Sequence, residues 1–410
     1  MSEASMLLPF EARTAVHAMT AVRPAREALG GAVPARVLVD MAARGAVDLS
    51  ALESTDYPGL LAEVGQAILA TATPERQDRL FPDSVALMAG GPGGAAGPVS
   101  FGYGAAGVLW SLAEVVEVPD ELVDWLVRAV EETDGLGPGL FDGASGIALA
   151  LDRLGRTDAA ARLWGQVEQV PLVELGTRLA DGLPGIGLAL LERAPVRDVE
   201  ALIARAAAIG AELLDRLAVE DPWSEGPGLL HGGSGTALYL LHLYGLTEDE
   251  SLLVGVERSL QRDLTALGLG PDGRRWSTTT EDSSVWTGTD GIVMVLHEAV
   301  KHLDVPWLHE IHRSAAMLSG RRLEHLPALF RARAGALLAY QTMHSEPWTP
   351  AHERVALVHL HLGRLDLCGG RRHLHLTNQV TVDTGTGAAG HLVALAGLLG
   401  SGDRRVPFFW

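Results

Sequence analysis

Cysteine is nearly absent: Cys368 is the one thiol in 410 residues. No intramolecular disulfide can form and no cysteine-rich metal site can be assembled, which points to an intracellular, cytoplasmic protein. Positive charge is also scarce. Lysine plus arginine number 32 against 51 aspartates and glutamates, a formal charge of −19, and Lys301 is the only lysine. A surface of that sign repels polyphosphate, so nucleic acid is not an expected partner. No continuous apolar run reaches the length a bilayer requires, and MSEASMLLPFEARTAV at the start lacks the basic-then-apolar order of a secretory signal. A membrane is not expected as a partner either.

What is abundant is apolar material, 47% of residues, together with 48 glycines. That share excludes disorder as the main state. The glycines are not scattered. A G-x-x-G step followed at once by an apolar segment recurs seven times: GAAGVLWSL from Gly104, GASGIALAL from Gly143, GLPGIGLAL from Gly182, GGSGTALYL from Gly232, GTDGIVMVL from Gly288, ARAGALLAY from Ala332 and GAAGHLVAL from Gly387. The spacings are 39, 39, 50, 56, 44 and 55 residues, room for two helices per repeat.

The segment after each step is apolar nearly all round, as a helix buried on every side must be. The returning segments, such as DVEALIARAAAIGAELLDRL from Asp198, are amphipathic, with apolar residues three or four apart. This alternation predicts an all-α fold, an α/α toroid of seven inner and seven outer helices; an open helical solenoid is the alternative. If the inner helices all start at one end, their free N–H groups converge on a common mouth that favours an anion.

Two stretches depart from the pattern. Residues 1–45 carry no repeat and are expected to be a partly helical or mobile extension, leaving 46–410 as the toroid domain. From Arg354 to Gly387 apolar and polar residues alternate around Gly369 and Gly370, which predicts a β-hairpin before the last repeat. Within it His359, His361, Cys368, His373 and His375 could hold zinc, but leucines alternate with these histidines. The half-buried strand accounts for the pattern, and no metal is assigned.

The glycine steps, and above all GPGLLHGGSGTALYL from Gly226 to Leu240, resemble the lanthionine synthetase cyclases, the LanC-like family. ATPERQDRLFP from Ala72, FRARAG from Phe330 and TVDTGTGAAG from Thr381 resemble more particularly the cyclase domain of class III lanthipeptide synthetases. The likeness spans roughly residues 50–400. No glycine-rich loop paired with an H-R-D string is present, so a free-standing cyclase of the class V kind is expected, working beside separate kinase and lyase proteins.

The resemblance implies intramolecular addition of cysteine thiols to dehydroalanine or dehydrobutyrine in a dehydrated precursor peptide, giving (methyl)lanthionine or labionin rings. It also implies where zinc would sit in the zinc-dependent branches: a cysteine in the fifth step and a Cys-His pair in the sixth. Here those positions hold Trp286, and Phe330 with Arg331, none of them a ligand, and Ser277 to Val285 lacks the arginine that precedes the fifth step. A zinc-independent enzyme without cofactor is expected.

Without metal, a thiol with a pKa near 8.5 is only about 3% thiolate at pH 7. Alignment of thiol and alkene contributes more than ionisation, since effective molarities reach ~10⁵ M. His231, one residue before Gly232, is the acid or base candidate carried by the resemblance, because imidazole can take the thiol proton and return one to carbon. Arg331 and Asp290 complete the expected catalytic set, a guanidinium being able to stabilise thiolate or enolate. Tyr103, Trp286, Arg333, Asp383 and His391 stand beside steps and are expected to bind peptide, with a loop tether or helix cap as the alternative for each polar one. An idle toroid that scaffolds the modifying enzymes is one competing function. A glycoside hydrolase is another, needing two facing carboxylates, for which Asp290 and Asp383 are the ones noted at the steps.

Overall fold

The computed structural model describes residues 56–82, 97–193, 199–219, 226–269, 285, 288–318, 329–330, 333–344, 381–399 and 408. The expected N-terminal extension lies outside them, as does the predicted hairpin up to residue 380; residues 381–387 form the turn that leads into the last helix. All regular elements among the described residues are helical. In chain order they are α1 (Tyr57–Leu69), α2 (Ala105–Leu112), α3 (Asp120–Glu131), α4 (Ala144–Arg153), α5 (Thr157–Gln169), α6 (Leu183–Arg193), α7 (Val199–Ala218), α8 (Gly233–Thr247), α9 (Ser251–Ala266), α10 (Thr289–Ala299), α11 (Pro306–Leu318), α12 (Arg333–His344) and α13 (Ala388–Leu399), with a short 3₁₀ turn at Leu172–Glu174.

Seven of these helices, α2, α4, α6, α8, α10, α12 and α13, begin at the seven glycine steps. Each packs on the next in that order, and α13 packs back on α2, so the contacts form a closed circuit. The intervening helices pair with the helix before them: α3 with α2, α5 with α4, α7 with α6, α9 with α8, α11 with α10. α1 packs on α13. Their amphipathic pattern explains the layer they occupy. α7 buries Leu202, Ala206, Ile209, Leu213 and Leu217, one stripe at three- and four-residue spacing, whereas α2 buries all eight of its residues.

The second glycine of each step is what closes the circuit. A Cβ there would strike the carbonyl oxygen of the residue three before that same step's first position, and would press on the side chain of the equivalent residue in the preceding step. Thus Phe101 fills the space at Gly146, Leu140 at Gly185, Leu179 at Gly235, Leu229 at Gly291, Val285 at Gly335 and Leu329 at Gly390, with Thr384 of the seventh step at Gly107 of the first. Seven interlocks of one kind run round the circuit without a break.

A backbone belt reinforces it. In five places among the described residues, the residue two before a step donates its N–H to the same position of the next: Gly102 to Phe141 (2.6 Å), Phe141 to Ala180 (2.9 Å), Ala180 to Leu230 (3.1 Å), Phe330 to Gly385 (2.9 Å) and Gly385 to Gly102 (2.7 Å). The leading loops of these six steps therefore lie side by side, and their helices start at one end. The segment around Ala72–Pro82 is pinned to the rim of the bundle. Thr73 donates to Leu80 across its turn (2.8 Å), and the Trp125 indole N–H of α3 donates to the Arg76 carbonyl (2.7 Å).

Candidate functional site at the shared helix starts

The belt sorts the lead-in residues into columns. Phe141, two before the second step, and Phe330, two before the sixth, meet edge to face at 4.9 Å, although their loops are not neighbours. Glycine at positions 102 and 385 leaves the room they occupy; a Cβ on Gly385 would lie 2.7 Å from the Phe330 ring. Phe408 packs against Phe101 (5.7 Å), Phe141 (6.2 Å) and Trp110 (6.2 Å), which closes this floor with aromatic surface.

One residue before each step stands Tyr103, Asp142, Asp181, His231 and Thr386, with residues 287 and 331 outside the described set. Loops two, three and four are bonded in series through Phe141, Ala180 and Leu230, so the next residues, Asp142, Asp181 and His231, occupy consecutive places on the entrance. All three are half-buried. The Arg178 guanidinium forks onto the Asp181 carboxylate through Nε (2.8 Å) and Nη2. Burial pushes the Asp142 carboxyl above the usual range, against the pull of the nearby Arg178 charge.

His231 rides on a loop held from outside the circuit. Asp263 of α9 accepts from the Gly228 N–H (3.1 Å), the Gly233 N–H (2.8 Å), the Ser234 N–H (2.8 Å) and the Ser234 hydroxyl (2.6 Å). The carboxyl is 4% exposed. Burial pushes its pKa up while the four donors pull it back, and every bond it makes is as an acceptor.

The remaining expected residues are placed as follows. Asp290 is half-buried in the first turn of α10, where the second and fourth steps carry Ser145 and Ser234. Tyr103 is 5% exposed, its ring edge-on to Phe330 at 6.4 Å. Asp383 is 1% exposed and accepts from the Thr386 N–H (2.6 Å) and hydroxyl (2.8 Å), the tether rather than the open contact. Burial pushes its carboxyl up to about 7. His391 is 2% exposed inside α13, where other inner helices carry Val108, Ile147 and Ile292. Neither offers surface to a peptide. Trp286 and Arg331 lie outside the described residues, as do the Arg333 side chain and the five hairpin metal candidates.

None of the three positions at which the resemblance would place zinc, 286, 330 and 331, holds a ligand side chain. Phe330, at one of the family's ligand positions, is wholly buried against Phe141, and positions 286 and 331 carry an indole and a guanidinium. Among the described residues no three histidines, cysteines or carboxylates gather as a metal site.

Four residues that now matter, Asp142, Arg178, Asp181 and Asp263, are not among those expected from sequence. The count of carboxylates at the steps is corrected accordingly: Asp142 and Asp181 hold the place before a step, as His231 does. Reading that column down all seven copies finds them. Asp263 lies 32 residues beyond His231 in another repeat half, and no local signal marks it.

The described residues make a helical bundle whose repeated glycine steps start its inner helices at one end, and that is the class of protein these features define. No protein-family model matches the chain. It is 33% identical over 391 residues to the "Probable SapB synthase" of Streptomyces coelicolor (strain ATCC BAA-471 / A3(2) / M145), a match covering 90% of this chain. The chain spans 41% of that relative's length. Its fold is similar to that of "Nisin cyclase", with a TM-score of 0.54 at 14% identity, over 75% of this chain and 90% of that one. The chain is thus similar in sequence to part of that synthase and in fold to that cyclase. No helix among the described residues is long and apolar enough to cross a membrane.

Proposed function

We infer that this chain is a lanthionine cyclase that closes thioether rings in a dehydrated precursor peptide. The cysteine S–H adds across the Cα=Cβ bond of dehydroalanine or dehydrobutyrine, sulfur to Cβ and hydrogen to Cα, with no leaving group. The observation that carries this is the run of Asp142, Asp181 and His231 on consecutive loops of a LanC-like fold, at the end where the inner helices start. His231 takes the thiol proton and returns one to the enolate carbon. The converging helix N-termini, the Asp142–Arg178–Asp181 group and, from the sixth step, Arg331 set the field in which thiolate and enolate form. Asp290 stands beside them, and Tyr103, Trp286 and Arg333 flank the peptide.

In this reading the full architecture is the seven-plus-seven toroid and the chemistry is zinc-independent, with alignment supplying the larger part of the acceleration. The match to part of a longer synthase supports the synthetase reading; the class III or V kind, the cytoplasm and separate kinase and lyase proteins belong to the same proposal. The lack of metal donors favours, as a second reading, a toroid that binds the peptide without reacting. Thiol counting separates the two. Incubated with dehydrated peptide, the active enzyme abolishes alkylation of peptide cysteines at constant peptide mass; thiols that alkylate as fast as without protein leave the scaffold.

A further inference from the structure

We propose that Asp263 is the positioning residue for His231, reaching from the outer layer to fix the loop that presents the imidazole. The inference rests on the cyclase reading for its consequence, but the tether itself is carried by two features of the fourth step.

The first is Gly233. The corresponding position is Ala105, Ala144, Leu183 and Ala388 in the first, second, third and seventh steps. A Cβ on residue 233 would sit 2.5 Å from the Ser259 carbonyl oxygen of α9. Glycine here admits the α9 backbone, and one turn further on Asp263 arrives beneath the loop. The second is Ser234, whose amide and hydroxyl both bind that carboxylate, while the Gly228 amide closes the other end of the loop onto it. One side chain thus grips residues on both sides of His231. Like α2 and α4, α8 starts on a glycine cap that supplies no side-chain bond, and here Asp263 reaches in from another helix to serve the loop. The second oxygen also lies close to Gly232, where a Cβ would be 2.8 Å from Oδ1. Asp263 therefore sets the imidazole's place and puts a carboxylate beneath the loop that carries it, whose negative charge favours the imidazolium that proton abstraction creates. On the other flank the charges are Asp181 and Arg178, already engaged with one another.

The test uses the full chain carrying Asp263→Asn, with His231→Asn to assign the imidazole resonance. In the folded Asp263→Asn protein, followed by NMR without peptide, the His231 pKa falls by about half a unit or more. In peptide turnover kcat falls at least tenfold while KM stays within about twofold, because peptide contacts are intact. A His231 titration superimposable on wild type overturns the proposal; a purely architectural Asp263 gives that result. Should Asp263→Asn not fold, amide hydrogen exchange on the wild-type chain decides. Gly228, Gly233 and Ser234 protected as strongly as the helical amides of α9 support the tether, and exchange at solvent-exposed rates overturns it. Titration and exchange need no substrate, so failure of wild-type ring closure counts against the cyclase reading alone.

Discussion

A buried carboxylate that is hydrogen-bonded has two opposing influences on it, and Asp383 shows which prevails. Thr386 offers it an amide and a hydroxyl, yet burial dominates and its pKa rises to about 7. A raised acid pKa means the folded state holds the proton more tightly than the unfolded one. Its contribution is therefore most favourable below pH ~4 and is lost as pH climbs from ~4 to about 7, with no further change above. Asp383→Asn keeps the neutral shape, with its amide able to serve both Thr386 groups. Denaturant titrations of the variant at a series of pH values show a flatter dependence over that window than wild type; an unaltered slope would assign the dependence to other groups. His231 belongs to the same scale but to the opposite kind of site, half-buried on a loop.

At the scale of elements, the glycine steps were legible because a backbone constraint writes itself into sequence. The second glycine is hemmed by the carbonyl of its own step and a side chain of the preceding one in all seven copies, so no larger residue fits. Gly185→Ala and Gly165→Ala separate this from helix propensity. Both lie within helices, where alanine alone would stabilise by up to ~1 kcal/mol. Gly165 of α5 has open space and follows propensity, whereas a Cβ on Gly185 meets Leu140 at 2.9 Å as well as its own loop. Thermal unfolding shows Gly165→Ala at or above wild type and Gly185→Ala destabilised by about 1–3 kcal/mol. Equal effects would remove the interlock from the account. The helical layers were likewise legible, from stripes such as Leu202, Ala206, Ile209 and Leu213.

What periodicity does not carry is contact between distant elements. Asp263 reads as one more charge on an amphipathic helix, and its burial against the fourth loop appears only once α8 and α9 are packed. Asp142 and Asp181 were hidden for another reason. They precede the glycine steps instead of lying within them, and their meaning depends on the belt that sets loops two to four side by side.

For the whole molecule, closure is what turns a repeat into a site. A stacked row of helix pairs would spread Asp142, Asp181 and His231 along an edge; the return of α13 onto α2 makes the loops share one entrance. Phe141, Phe330 and Phe408 pack together beside those loops, and in the proposed chemistry such apolar surroundings would strengthen the field of the helix starts on a forming anion.

The most direct test is the initial rate at which alkylatable thiol disappears from dehydrated peptide, measured side by side for the wild-type chain, His231→Asn and buffer alone. The account predicts clear acceleration by wild type and a fall of about 100-fold in kcat for His231→Asn, with the variant folded and still binding peptide. A variant as fast as wild type, or a wild-type chain no faster than buffer, would contradict it.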